Sequence, residues 1–166
     1  MNATALVDGG KSGATVVIGG VAFVGDIELF HYSEAAGLGK NIDAEFRSVI
    51  RCLELAIDHG LAEIAVFTDA KHVVDALGTK AAAVEELLVR LERQAGNAHG
   101  MFKALPCITG ARCVPPTLQA WQRWFTDNRA LLAVRNVSGK SAAYVAEIDR
   151  LSQRVSVKVM LAQAGA

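Results

Sequence analysis

The sequence predicts an α/β domain: one mixed sheet flanked by helices. Two patterns carry that prediction. Residues 3–32 read as three consecutive β-rich runs separated by glycine turns. From residue 43 onward, helical periodicity alternates with short apolar runs. The order is therefore three strands, helix, strand, helices, strand, helix.

Residues 3–8 (ATALVD) form a short apolar strand ending in an acid, and GGKSG at 9–13 is a turn. TVVIGGVAFV at 15–24 and IELFHY at 27–32 are strands, with Gly25-Asp26 as the hairpin signal. A loop at 35–41 leads into a helix over 43–58. Its apolar positions Phe46, Val49, Ile50, Leu53 and Ile57 recur three and four apart, with Asp43 as N-cap and His59-Gly60 as the stop. EIAVFTD at 63–69 is a buried strand, followed by short helix 72–77 and amphipathic helix 83–94. Residues 96–116 lose periodicity and hold all three prolines and two of the cysteines, so they read as an irregular insertion. LQAWQRWF at 118–125 returns to helix, ALLAVRNV at 130–137 reads as the last strand, and 144–155 as the last helix. One domain is expected over 1–155, with 156–166 as a C-terminal tail.

The chain has 166 residues and a hydrophobic fraction of 52%, enough for a single core. No apolar run is long enough to span a bilayer, and no basic segment precedes an apolar stretch at the N-terminus. Three cysteines are too few for a disulfide scaffold. The expectation is a cytoplasmic protein with no membrane partner. Seventeen basic residues balance seventeen acidic ones, which argues against a strong non-specific nucleic-acid binder. It leaves room for an acidic site that meets nucleic acid through bound metal and a local basic patch.

Three acids stand where an element meets its neighbour. Asp8 ends the first strand, Asp69 ends the fourth, and Glu45 lies in the first turn of the helix between them. Adjacent strands let Asp8 and Asp69 converge, within reach of Glu45. Clustered carboxylates repel unless a cation intervenes. Hard oxygen ligands of this kind favour Mg²⁺ or Mn²⁺. Two such ions about 4 Å apart activate a water and stabilise a leaving oxygen in phosphoryl displacement. The bland alternatives are a turn or cap role for the aspartates and a helix-dipole role for Glu45.

The segments ALVDGG, NIDAEFRSVIRCLELA and IAVFTDAKHVVDAL resemble three successive motifs of the ribonuclease H type 1 family. The matching positions are Asp8-Gly9, Ala44-Glu45-Phe46 and Thr68-Asp69-Ala70, with Val73-Val74 following. Ile148-Asp149-Arg150-Leu151-Ser152 resembles the family's motif on its final helix, which makes Asp149 the fourth metal ligand and Glu147 its competitor. The resemblance implies a ribonuclease H-like fold: a five-stranded mixed sheet, three strands antiparallel and then parallel, with helices on both sides. It also implies hydrolysis of the RNA strand of an RNA–DNA hybrid, with two Mg²⁺ or Mn²⁺ ions held by Asp8, Glu45, Asp69 and Asp149. Substrate contacts would fall to Gly9, Gly10, Lys11, Asn41, Trp121, Arg123 and Lys140, with packing in the core as the alternative for Trp121 or Trp124.

The chain departs from the family in places. The loop SGKSAAY lacks the family's His, leaving only Lys140. The approach to the catalytic helix reads Asn41-Ile42-Asp43, so Asn41 keeps only part of the usual ribose contact. Segment 94–117 would be a weak basic protrusion, with Lys103 and Arg112 as its charges. These departures keep a nuclease for branched or single-stranded substrates, or a non-catalytic binding module, as alternatives. His99, Cys107 and Cys113 are a poor zinc set. DGGKSG lacks the phosphate-loop spacing. A sugar-kinase-like fold needs two lobes, for which the chain is too short.

Overall fold

The computed structural model describes residues 2–93, 104–137 and 139–162, which form two compact units. The first comprises Met1–Val74 with Val137–Ala166, and the second Asp75–Asn136.

The first unit is built on a five-stranded sheet in the order β3-β2-β1-β4-β5. Strands β1 (Ala3–Ser12), β2 (Thr15–Val24) and β3 (Ile27–Leu38) are antiparallel neighbours. Gly25 carries the β2–β3 turn at φ 57°, a left-handed conformation that costs glycine little. Helix α1 (Asn41–Asp58) then returns the chain so that β4 (Glu63–Thr68) runs parallel to β1, and β5 (Ser156–Leu161) lies parallel to β4. The mixed sheet matches the expectation.

Strand alternation decides which side is covered. Ala3, Ala5 and Val7 are buried, whereas Thr4, Leu6 and Asp8 are exposed, Leu6 by 51%. Helix α1 lies on the buried side and sinks Phe46, Val49, Cys52, Leu53 and Ala56. Burying one such large side chain contributes about 1.5–3 kcal/mol. Ser48 is buried there as well, and its hydroxyl donates to the Gly19 carbonyl at 2.9 Å. The Tyr32 hydroxyl donates to the Ser48 carbonyl at 2.6 Å.

Several boundaries differ from expectation. The loop at 35–41 is mostly strand, because β3 runs on to Leu38. The N-cap of α1 is Lys40, not Asp43; Asp43 sits one turn in and accepts the Lys40 N–H at 2.7 Å. The expected strand at 130–137 is absent. Arg129–Leu132 is a 3₁₀ turn, Leu132 is buried while Leu131 and Val134 are exposed, and the only pairing there is the isolated bridge Thr79–Arg135. The last strand lies instead at Ser156–Leu161, in what reads as the tail, and pairs with β4 from Glu63 to Thr68.

The helix after residue 140, here called the terminal helix, spans Ser141–Leu151 and packs on α1 through Val145, Ile148 and Leu151 as its buried stripe. It precedes the last strand, whereas the sequence reading has it follow one.

Helix α2 (Lys71–Leu77) leads from β4 into the second unit. There α3 (Lys80–Arg93), α4 (Ala104–Thr109) and α5 (Leu118–Asn128) enclose a core of Val84, Leu88, Leu91, Leu105, Trp121, Phe125 and Leu132. The terminal helix of the first unit is therefore α6. Of the irregular insertion expected at 96–116, residues 104–109 are helical and 96–103 lie outside the described residues. The Thr117 side chain caps α5 by accepting the Ala120 N–H. Among the described residues, no helix is long and apolar enough to cross a membrane.

Candidate metal centre

Asp8, Glu45 and Asp69 converge. Each offers a carboxylate oxygen, and the three oxygens all lie within 4.8 Å of one another. Asp8 projects from the exposed side of β1, Asp69 follows directly on the end of β4, and the parallel pairing of these strands brings both to one end of the sheet. Glu45 arrives from the second turn of α1, which can approach because position 9 is glycine. A Cβ there would stand 2.4 Å from the Ala44 carbonyl carbon and oxygen and 2.8 Å from the Glu45 nitrogen. The Gly9 N–H also donates to Asp8 Oδ1 at 2.9 Å.

The electrostatics are those of a cluster of like charges. Burial of Glu45 and the charges of Asp8 and Asp69 push its carboxyl up to about 7, with only the Gly9 N–H pulling the other way. Glu45 Oε2 is buried and has no hydrogen-bond partner among the described residues. A buried acceptor without a partner is costly. A divalent cation would satisfy that oxygen and cancel the repulsion together. Three carboxylate oxygens gathered this closely can serve one shared cation. An all-carboxylate set suits Mg²⁺ or Mn²⁺ and not zinc.

The other expected site residues divide. Gly9 and Gly10 line a shallow surface depression with Asp8, and Lys11 and Asn41 are exposed. Lys140 is exposed next to the start of α6. Trp121 is a correction: it is fully buried in the core of the second unit, edge-on to Trp124 at 5.5 Å between centroids, and is out of reach of substrate. Its helical stripe with Phe125, four residues on, is a core signature. Arg123 is exposed in that same unit.

Asp149 is half-buried on α6 and does not belong to the cluster formed by the other three acids. Glu147 is engaged by Arg150, which donates to its two oxygens at 2.5 and 3.0 Å and holds its carboxyl below the usual carboxylate range. Cys107 and Cys113 are exposed free thiols, and His99 lies outside the described residues.

Sequence reasoning missed Tyr144. Its hydroxyl donates to Asp43 at 2.6 Å across a separation of 101 residues. No local pattern announces such a contact.

Comparison with known proteins agrees with this architecture. The family model described as "Reverse transcriptase-like" matches residues 2–102. No curated protein matches the chain. Among solved structures, RNase H1 from the halophilic archaeon Halobacterium salinarum superposes with a TM-score of 0.55 at 16% identity, covering 99% of this chain and 87% of that one. LC11-RNase H1, solved in complex with an RNA/DNA hybrid, gives 0.56 at 15% identity, covering 98% and 86%. The N-terminal RNase H domain of a Mycobacterium tuberculosis protein gives 0.53 at 15% identity, covering 97% and 85%. At these identities the likeness is one of fold. With more than half its length matched by the family model, the chain belongs to the reverse transcriptase-like family of the ribonuclease H-like superfamily.

Proposed function

We propose that this protein is a divalent-metal-dependent endonuclease that hydrolyses the RNA strand of RNA–DNA hybrids. The observation that carries the reading is the convergence of Asp8, Glu45 and Asp69 around a buried, unpartnered Glu45 oxygen. The fold shared with ribonucleases H, one of them solved on an RNA/DNA hybrid, supports the substrate.

Asp8, Glu45 and Asp69 would hold Mg²⁺ or Mn²⁺, in a two-ion arrangement. Asp149 is assigned as a fourth carboxylate by the family resemblance alone. When bound, the ions would supply Lewis-acid stabilisation of the phosphate and lower the pKa of an attacking water. The chain's own residues do the rest. The three carboxylates balance the cation charge and fix its place beside the sheet end. Lys11 and Lys140 meet backbone phosphates as exposed point charges. Asn41, exposed at the first position of α1, reads a ribose 2′-hydroxyl, the group that separates RNA from DNA. Water adds to phosphorus, the P–O3′ bond breaks, and the products carry a 3′-hydroxyl and a 5′-phosphate.

The test is incubation with labelled RNA–DNA hybrid, RNA duplex, DNA duplex, branched DNA and single strands, with Mg²⁺, Mn²⁺ or EDTA. Metal-dependent cutting of RNA in the hybrid is the expected result. Cutting of branched or single-stranded substrates instead would reassign the substrate. No cutting with either metal would overturn the nuclease reading.

A further inference from the structure

Two residues beyond the acids themselves bear on the geometry of the cluster. Asp43 lies two positions before Glu45, and both of its carboxylate oxygens are used. Oδ2 accepts the Lys40 N–H at 2.7 Å, closing the first turn of α1, and Oδ1 accepts the Tyr144 hydroxyl at 2.6 Å. The Tyr144 ring stacks on Phe46, the residue after Glu45, at 5.1 Å between centroids and 9° between planes. On Phe46 there is a second aromatic contact: His72 meets it edge-on at 6.1 Å and 69°. His72 lies three residues after Asp69, in the first turn of α2. Tyr144 thus anchors a row, Tyr144–Phe46–His72, that ties α6 to the segment bearing Glu45 and, through Phe46, to the segment bearing Asp69.

We infer that Tyr144 is a positioning residue for the metal centre: its hydroxyl on Asp43 and its ring on Phe46 fix the first turns of α1 so that Glu45 reaches Asp8 and Asp69.

The physical argument is one of preorganisation. Glu45 stands in the second turn of α1, close to a helix end, where helices fray. Three like charges push that turn outward in the absence of cation. A hydrogen bond to a charged acceptor and a half-buried ring stacked on Phe46, both from a distant helix, oppose that push. Arg47 adds to the restraint: it donates to the Ala36 and Leu38 carbonyls at 2.8 and 2.9 Å, and its guanidinium lies 6.0 Å from the Tyr144 ring centroid. Supporting groups of this kind matter to metal affinity because they set ligand geometry before the ion arrives.

The inference rests on the metal-centre reading, and its test separates the two. Mn²⁺ binding is measured by titration calorimetry on the wild type, Tyr144→Phe, Asp43→Asn and the double variant, with circular dichroism and melting temperature alongside. Tyr144→Phe keeps the stacked ring and loses the hydroxyl. It should keep the fold and bind Mn²⁺ about fivefold more weakly, a modest share of the 10- to 100-fold typical of groups that support ligands directly. Asp43→Asn should weaken binding similarly, and the double variant by less than the product of the two, as expected of a pair acting together. A lower melting temperature with wild-type Mn²⁺ affinity in Tyr144→Phe would make the contact merely structural and overturn the inference. If Tyr144→Phe fails to fold, Asp43→Asn decides by the same criterion. A wild type that takes up no Mn²⁺ would overturn both the inference and the metal-centre reading.

Discussion

Gly9 and Ala44 meet backbone to backbone: a Cβ on Gly9 would lie 2.4 Å from the Ala44 carbonyl carbon and oxygen. Neither atom belongs to a flexible side chain, so a methyl group there forces β1 and α1 apart. That contact places the Glu45 segment against Asp8. Gly9→Ala should therefore destabilise the protein by about 1–3 kcal/mol, the range for overpacking, and weaken Mn²⁺ binding as well. Urea denaturation and Mn²⁺ titration check both effects. Wild-type stability in Gly9→Ala would show that the helix yields freely.

Asp69→Asn removes one repelling charge from the cluster and one hard ligand. Activity on the hybrid should vanish, while the melting temperature without metal should stay the same or rise slightly. The variant should also lose most of the stabilisation that Mn²⁺ gives the wild type. Equal activity of the variant and the wild type would remove Asp69 from the chemistry.

Much of this was legible in the sequence because it is local. Glu45 and Asp69 sit close to boundaries that periodicity marks, whereas Asp8, read as the end of its strand, lies within β1, which runs on through the expected turn to Ser12. What was not legible depends on tertiary choice. ALLAVRNV has strand composition, yet Leu132 serves a helical core and its neighbours face solvent. Val157 and Val159 alternate with Ser156 and Lys158 as a strand should, but six residues near a chain end carry little signal alone. The chemistry of Trp121 suits recognition and its helical spacing suits a core, and packing places it in the core. The helix bearing Asp149 reads in the sequence as following the last strand, whereas α6 comes before β5.

Glu45 should give the metal-free protein a distinctive pH response. Its ordinary value is 4.5 and the fold raises it to about 7. Between those values the native state holds a proton that the unfolded chain has released. The contribution of Glu45 to stability is thus greatest below about pH 4.5 and declines as pH rises towards 7. Because Glu45 is partly solvated, the loss should be about 1 kcal/mol after screening. Glu45→Gln should flatten this slope, and Mn²⁺ should reverse it while releasing a proton near pH 6 to 7. Identical slopes for wild type and Glu45→Gln, measured by denaturation across that window, would contradict the cause given for the shift.

Trp121 and Arg123 share a helix but should fail differently. Trp121→Ala empties the centre of the second unit's core and should cost about 3–5 kcal/mol. Arg123→Ala leaves that core intact, since Arg123 is exposed. If Arg123 contacts a phosphate, its loss should weaken hybrid binding a fewfold and reduce the salt dependence by about one counterion. Binding isotherms at several salt concentrations test this, and an unchanged slope would take Arg123 out of the interface.

Glu147 and Asp149 are separated by a comparison of Glu147→Gln with Asp149→Asn. Arg150 already occupies both oxygens of Glu147, so recruiting that carboxylate to a metal would mean breaking a two-point ion pair. Glu147→Gln should leave Mn²⁺ affinity and hybrid cleavage at wild-type levels. Asp149→Asn should lower cleavage, but by less than Asp69→Asn, because Asp149 lies outside the cluster that Asp8, Glu45 and Asp69 form. A loss in Asp149→Asn as complete as that in Asp69→Asn would require α6 to bring its carboxylate to the ions when substrate binds. No loss at all would leave three acids to hold the metal among the described residues, and the family motif at Ile148–Ser152 would be a coincidence of composition.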